Sequence, residues 1–267
     1  MAAFQASGVI TLTTDFGQEG PFVATMKGRI LGRYLAARIV DVTHEIVVHW
    51  PVEAGFWLAR SYPYFPVGTV HVAVVDPGVG TERDIVAVLA EGHVFLAPDN
   101  GLLSPVLARV KQPLAYRVTA RHLERFALGV PSATFHGRDI FAPLAAELAS
   151  GRCQPEELGR LTDDVAVGWT DEAERGPQGV RGVVITIDHF GNLITNIDGA
   201  LLADFARPVV RAGNRILPLK RTYGEMKPGD YLALINSFGV LEIARAEQSA
   251  AEGLGLGRGA PVSVTSE

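Results

Sequence analysis

The most chemically suggestive pattern in this chain is an acid that closes an apolar run. In Val74-Val75-Asp76-Pro77-Gly78-Val79-Gly80 the carboxylate of Asp76 follows a β-branched stretch and precedes residues that force an immediate tight turn. A buried carboxylate needs a partner, and Arg83, seven residues on, can supply one. Spacing alone leaves two readings open: an ion pair that stabilises the turn, and an acid held for proton transfer. Asp15, in Asp15-Phe16-Gly17, poses a similar choice. It either caps a helix starting near Gly20 or presents a carboxylate at the C-terminal end of a parallel strand. Such strand ends are where open α/β sheets bind ligands, and a carboxylate there can take both hydroxyls of a ribose.

Two further segments carry usable groups. His136 lies in Thr134-Phe135-His136-Gly137-Arg138-Asp139, a Gly-containing loop before a helix, where a ring nitrogen can face a pocket and Asp139 can cap the helix. Asp188-His189-Phe190-Gly191-Asn192 combines a carboxylate, an aromatic face and an amide. It reads either as a polar hairpin or as a site for a zwitterion, with Asp188 facing an ammonium and Asn192 a carboxylate.

Other patterns fail on their details. Asp15-Phe16-Gly17 is not a kinase metal loop, because no His-Arg-Asp loop and no Gly-rich strand pair accompany it. Gly78-Val79-Gly80 lacks both the third Gly of a dinucleotide loop and the Gly-Lys-Ser/Thr of a phosphate loop. His44 and His49 are five apart where the helical zinc motif needs four, so no metal is expected. His71, His93 and His122 fall in expected strands or surface helices and read as packing or solvent residues. A formal net charge of −5 without a basic cluster argues against nucleic acid. The single cysteine, Cys153, permits no internal disulfide, and the start of the chain lacks a signal-peptide pattern. No window reaches the roughly 18 apolar residues of a membrane span, so the expectation is a cytoplasmic protein without a membrane partner.

The elements that must position these groups fall into two sets. With 267 residues, 48% of them hydrophobic, the chain is long enough for two domains. In the first, strands are expected at residues 9–14, 38–42, 69–75, 85–90 and 93–97. Helices are expected at 21–36, from Pro51 to Tyr62, at 102–109 and at 139–150. The apolar run 69–75 lacks alternation, as in a parallel sheet covered on both faces. Acidic residues, Gly and Pro then mark a connection, giving an α/β domain at 1–165, a linker at 166–181 and a second domain at 182–267. The second domain has short β-branched runs separated by turn residues, the pattern of a small barrel or sandwich.

Taken in order, several motifs resemble one family, the S-adenosylmethionine hydroxide adenosyltransferases, relatives of the fluorinases and chlorinases. They are Thr14-Asp15-Phe16-Gly17, Met26-Lys27-Gly28, Asp41-Val42-Thr43-His44, Val75 to Gly80 with Arg83, Pro98-Asp99-Asn100-Gly101, Phe135 to Asp139, Asp188 to Asn196, and Asn236-Ser237. The resemblance implies an N-terminal α/β domain with a largely parallel sheet, a smaller C-terminal β-barrel, and no cofactor. It also implies a homotrimer with S-adenosylmethionine bound between subunits. Asp76, Arg83 and His136 match the water-activating set, where the halogenases carry an aromatic residue in place of Asp76. Asp15 matches the ribose-binding acid, while Asp188, Phe190, Asn192 and Ser237 match residues around the methionine and adenine ends. The chain departs at Gly20, where many relatives carry an acid, and at Val47-Val48-His49-Trp50, where Trp50 can stack on a substrate ring or fill an interface. The implied activity is hydrolysis of S-adenosylmethionine to adenosine and methionine. The alternatives are an S-adenosylmethionine-dependent halogenase and a non-catalytic adenosine-binding or S-adenosylmethionine-binding module.

Overall fold

β-Branched and aliphatic runs alternating with amphipathic stretches build a layered first unit. In the computed structural model, which describes residues 3–119, 123, 124, 126, 129–168 and 172–266, this unit is Met1–Thr170 and a second is Asp171–Glu267. In the first, β1 (Val9–Thr14) leads through α1 (Phe22–Arg33) to β2 (Arg38–Thr43), and α2 (Pro51–Ser61) leads to β3 (Val70–Val74). The hairpin β4 (Ile85–Ala90) and β5 (His93–Pro98), the single turn α3 (Ser104–Leu107) and β6 (Leu114–Val118) follow. A π-helical turn, Gly137–Phe141, then runs into α4 (Ala142–Ala149), and β7 (Gly159–Thr162) ends the sheet.

The sheet order is β2-β1-β3-β5-β4-β6-β7. The pairs β1/β2, β1/β3 and β3/β5 are parallel, whereas β4/β5, β4/β6 and β6/β7 are antiparallel. Period-two alternation sends Ile10, Leu12, Val70 and Val72 to one core with Met26 and Ile30 of α1 and Leu144 of α4. Ala73, Val75 and Phe95 enter the other core with Leu58 of α2 and Val106 of α3. Helices on both faces explain why β3 is buried along its whole length and shows no polar alternation. His71 and His93 pack within this interior, linked at 3.2 Å between Nε2 of His71 and Nδ1 of His93, and burial pushes His71 down to about 3. His122 lies outside the described residues.

Three local expectations need correcting. α1 ends at Arg33 and leaves Leu35 85% exposed, because three apolar positions at helical spacing do not guarantee a fourth. The helix expected at 102–109 contracts to Ser104–Leu107, although Leu102 and Leu103 are buried by side-chain packing. Asp139 caps nothing, since the helical path already begins at Gly137; its carboxylate accepts from Ser132 N–H and from Arg138 instead. The strands β6 and β7 escaped the sequence pattern because they are short, with Arg117 and Arg160 inside them.

The second unit is a nearly closed barrel. Its elements are β8 (Glu174–Gly176), β9 (Gly179–Ile187), β10 (Leu193–Asp198), β11 (Pro208–Ala212), β12 (Arg215–Leu217), β13 (Leu219–Lys220), β14 (Tyr231–Ile235), β15 (Val240–Arg245), α5 (Ala250–Leu254) and β16 (Pro261–Ser266). The path runs β12-β11-β16-β9-β10-β15-β14-β13, with β8 paired to β9. Only Pro218 separates β12 from β13, so the two ends of the path meet at one residue. Val180, Val184, Leu193, Leu241, Ile243 and Val264 fill the interior. The Gly-Pro-rich stretch read as connection supplies β8 and the start of β9, because Gly176-Pro177-Gln178-Gly179 makes a hairpin turn there.

Candidate active site

β1 lies between β2 and β3, so the chain leaves β1 in one direction and returns to its other side. α1 covers one face of the sheet and α2 the other. This reversal opens a crevice beyond the C-terminal ends of β1 and β3, the place where open α/β sheets take ligands. A cavity of about 270 Å³ occupies it, and Asp15, Asp76 and His136 all line it.

Asp76 and Arg83 form a forked pair. Arg83 Nε donates to Asp76 Oδ1 at 2.9 Å and Oδ2 at 3.0 Å, and Arg83 Nη2 also donates to Oδ2. The side chains are only 4% and 11% exposed, so water screens the pair weakly. The turn that returns Arg83 to Asp76 is tight, with Val79 N–H donating to Asp76 O and Thr81 N–H to Gly78 O. Gly80 has φ +77°, and a Cβ there would sit 2.1 Å from the carbonyl oxygen of Ala133. Its bare Cα thus admits the backbone of the segment that carries His136. Asn100 braces the same strand end, its Nδ2 donating to Val75 O at 2.9 Å.

His136 completes the group from 53 residues away, with Arg83 Nη2 at 2.9 Å from its Nδ1. A guanidinium only donates, so Nδ1 accepts and the single proton of the neutral ring is assigned to Nε2. Burial first, and the Arg83 charge second, lower the pKa of His136 below the ordinary imidazole value, against the opposing pull of Asp76 and Asp139. The ring is therefore neutral at pH 7. It sits at the entrance to the π-helical turn, a local distortion that often marks functional positions.

Asp15 does not cap α1, whose first turn has no side-chain cap. Its Oδ2 accepts the His49 N–H at 2.9 Å, and His49 has φ +64°, an uncommon conformation for a residue with a side chain. Val48 and His49 line the cavity together with Phe16, Phe22 and Phe135. The three phenylalanines pack edge to face or tilted, with centroids 5.5–6.3 Å apart, which gives the cavity an apolar wall. Sequence patterns missed the wall residues Phe22 and Val48, and a positive φ at His49 has no sequence signature. Trp50 is not among the lining residues and stands instead at the start of α2. At Gly20 an added Cβ would lie 2.8 Å from the Phe22 ring, so that ring holds the space beside the missing acid.

In the second unit Asp188 and Asn192 are bound to each other. Asp188 Oδ1 accepts from the N–H groups of Phe190 at 2.9 Å and Asn192 at 2.8 Å, and Oδ2 accepts from Asn192 Nδ2 at 3.0 Å. Phe190 projects from the turn and is 75% exposed. Ser237 is exposed in a separate turn, where Asn236 Oδ1 accepts from Phe238 and Val240. Among the described residues, no cluster of three or more His, Cys, Asp or Glu side chains could hold a metal ion.

Comparison with known proteins places this geometry in context. The SAM hydroxide adenosyltransferase N-terminal domain matches residues 10–159, and the C-terminal domain of the same family matches residues 182–263. The (R)-S-adenosyl-L-methionine hydrolase of Thermus thermophilus is 40% identical, covering 93% of this chain and 96% of that protein. The fluorinase of Actinopolyspora mzabensis is 31% identical, with 96% of this chain and 97% of that protein covered. The crystal structure of an uncharacterized conserved protein from Thermotoga maritima superposes with a TM-score of 0.87 at 33% identity, covering 96% of this chain and 99% of that one.

Proposed function

This chain belongs to the SAM hydroxide adenosyltransferase family, and from that premise we propose that Asp76, Arg83 and His136 activate the water with which it cleaves its substrate. It is an enzyme that hydrolyses S-adenosyl-L-methionine to adenosine and L-methionine. The observation that carries the site assignment is the unbroken Asp76–Arg83–His136 hydrogen-bonded set opening onto the cavity that Asp15 also lines.

The sulfonium makes methionine a neutral leaving group, so attack at the ribose C5′ carbon needs no acid on the departing side. It needs a nucleophile held in line with the departing sulfur. Water is a poor nucleophile, and Arg83 cannot be the base because a guanidinium does not lose its proton in proteins. His136 has its only basic nitrogen, Nδ1, occupied by Arg83, so its Nε2–H donates to the water oxygen and fixes its direction. Asp76 keeps lone pairs free beyond those taken by Arg83, and these accept the proton as the oxygen–carbon bond forms. Positioned proton transfer of this kind contributes about 10²–10⁴-fold.

Asp15 is assigned to the ribose hydroxyls, and Trp50, Asp188, Phe190, Asn192 and Ser237 to the methionine and adenine ends. The proposal includes a homotrimer in the cytoplasm, with each site completed by the barrel of a neighbouring subunit. Light scattering during size-exclusion chromatography tests the trimer. The halogenase alternative would set a halide against the Asp76 carboxylate, and like charges repel at such a distance. Incubating the purified protein with S-adenosylmethionine in chloride or fluoride buffer tests the reaction. Adenosine and methionine are the expected products; 5′-halo-5′-deoxyadenosine, or tight binding without turnover, would overturn it.

A further inference from the structure

A polar chain that runs from the surface at Lys27 and Asp41 to the buried His44 and Thr14 lies beside the pocket and plays no part in the proton transfer described above. His44, 1% exposed, puts Nδ1 at 2.8 Å from Thr14 Oγ1. Its Nε2 faces Asp41 Oδ1 at 3.1 Å, the less well aligned link, and Asp41 Oδ2 accepts from Lys27 Nζ. The Thr14 hydroxyl also accepts the Phe16 N–H at 3.3 Å, and the backbone carbonyl of His44 accepts the Gly17 N–H at 2.8 Å. One residue thus grips the chain on both sides of Asp15.

The sheet geometry explains why side chains take over here. β1 and β2 pair regularly as far as Leu12 opposite Asp41, but Thr13 then stands opposite Thr43, a register shift at the last turn before the pocket. Such irregularities re-aim the residues that follow and leave the ladder incomplete. Beyond the shift, the Thr14–Gly17 turn is held by His44 and by the Asp15–His49 bond. Asp41 decides how His44 does this. An ionised carboxylate only accepts, so it selects the tautomer with the proton on Nε2, which leaves Nδ1 to accept the Thr14 hydroxyl proton. Burial works against Asp41 ionisation, but the Lys27 hydrogen bond and the close approach of His44 outweigh it and hold the carboxyl below its ordinary range.

We propose that Asp41, His44 and Thr14 are positioning residues that fix the Asp15 turn for the nucleoside half of the substrate. The inference rests on the assignment of Asp15 to the ribose. Thr14→Val keeps the shape of the side chain and removes the hydroxyl, whereas Thr14→Ser keeps the hydroxyl. Losing one polar contact of this kind gives Thr14→Val and Asp41→Ala about a 5–10-fold higher KM for S-adenosylmethionine and Kd for adenosine, with kcat little changed. Thr14→Ser restores wild-type values. The ¹⁵N spectrum of the intact protein is expected to show His44 with a protonated Nε2 and a bare Nδ1, and Asp41→Asn to mix the tautomers.

Val88→Ala, a core truncation remote from this chain of contacts, serves as the stability control. If Thr14→Val and Asp41→Ala lower Tm as Val88→Ala does but leave KM and Kd at wild-type values, the residues hold the fold only and the proposal is wrong. A His44 ring protonated on Nδ1 alone would also overturn it. Asp15→Ala separates the two levels. If it leaves adenosine binding intact, the ribose assignment fails; if it weakens binding and the relay variants do not, only the relay fails.

Discussion

Asp76 and Asp188 follow the same sequence grammar and end in opposite electrostatic situations. Each follows an apolar strand, β3 or β9, and each is succeeded within three residues by a glycine. Asp76 is held by a guanidinium and, through it, by a histidine 53 residues beyond that arginine, and it faces a cavity. Asp188 is held by the backbone and side chain of its own turn, within four residues. A strand-end acid therefore becomes a chemical group when its neutralising partner comes from outside the turn and leaves lone pairs over. It becomes a turn-former first when the turn itself consumes them. Asp188 can still meet a substrate ammonium, but only as part of a turn it also builds.

The largest expected effect tests the first half of that contrast. Asp76→Asn preserves the shape and one acceptor oxygen while removing the proposed base, so kcat should fall about 10²–10⁴-fold with adenosine binding nearly intact. Rapid-quench chromatography and calorimetry measure the two separately. An amide is the better probe than alanine, because both remove the counter-charge of Arg83 but the amide keeps one oxygen acceptor for the guanidinium. If Asp76→Asn keeps a tenth or more of its turnover, Asp76 is as structural as Asp188 and the contrast collapses.

A pH profile sharpens the same half. His136 must be neutral for Nδ1 to accept from Arg83, and its pKa is lowered, so the acid limb of kcat/KM should have its midpoint below the ordinary imidazole value. Arg83→Gln removes one of the causes of that lowering. The acid limb should therefore move up in pH, alongside a loss of rate from the less well anchored Asp76. An acid limb that stays in place would mean that Arg83 does not act on His136.

Much of this contrast was legible in the sequence, and the missing part has a physical reason. The tight turn after Asp76 and the partner Arg83 are local, so spacing exposed them. What spacing could not reveal was that His136 would arrive at the same guanidinium, because Gly80 permits the approach of Ala133 but does not name the distant segment that makes it. The layered sheet was readable from unalternated apolar runs, whereas β6 and β7, interrupted by Arg117 and Arg160, were not. The cap expected of Asp139 and the helical fate of Leu35 failed because the helical path begins before the one, at Gly137, and ends before the other, at Arg33. The cavity wall from Phe22 and Val48 was not legible either: Phe22 reads as one more apolar position of a helix, yet both side chains line the cavity while staying 50% and 64% exposed.

The second half of the contrast predicts smaller effects. Asp188→Asn retains an acceptor for the Phe190 and Asn192 N–H groups, but it sets an amide NH₂ against the Asn192 NH₂. The turn should lose about 1–2 kcal/mol in denaturant unfolding, with KM rising and kcat close to wild type. A fall in kcat as deep as that of Asp76→Asn would show that the turn does chemistry after all.

Phe190→Ala is the mildest change and the most discriminating. The ring is 75% exposed, so its removal should alter stability by no more than about 0.5 kcal/mol. A side chain whose contact in its own unit is an edge-to-face one with the adjacent His189 ring, yet whose truncation raises KM, meets something outside that unit, either substrate or a neighbouring subunit. Measuring KM and the dissociation constant of the proposed trimer on the same variant separates the two. A higher KM with unchanged association identifies a substrate contact, and a weaker trimer identifies an interface. If neither moves, Phe190 leaves the proposed site and the Asp188 turn is a hairpin and nothing more.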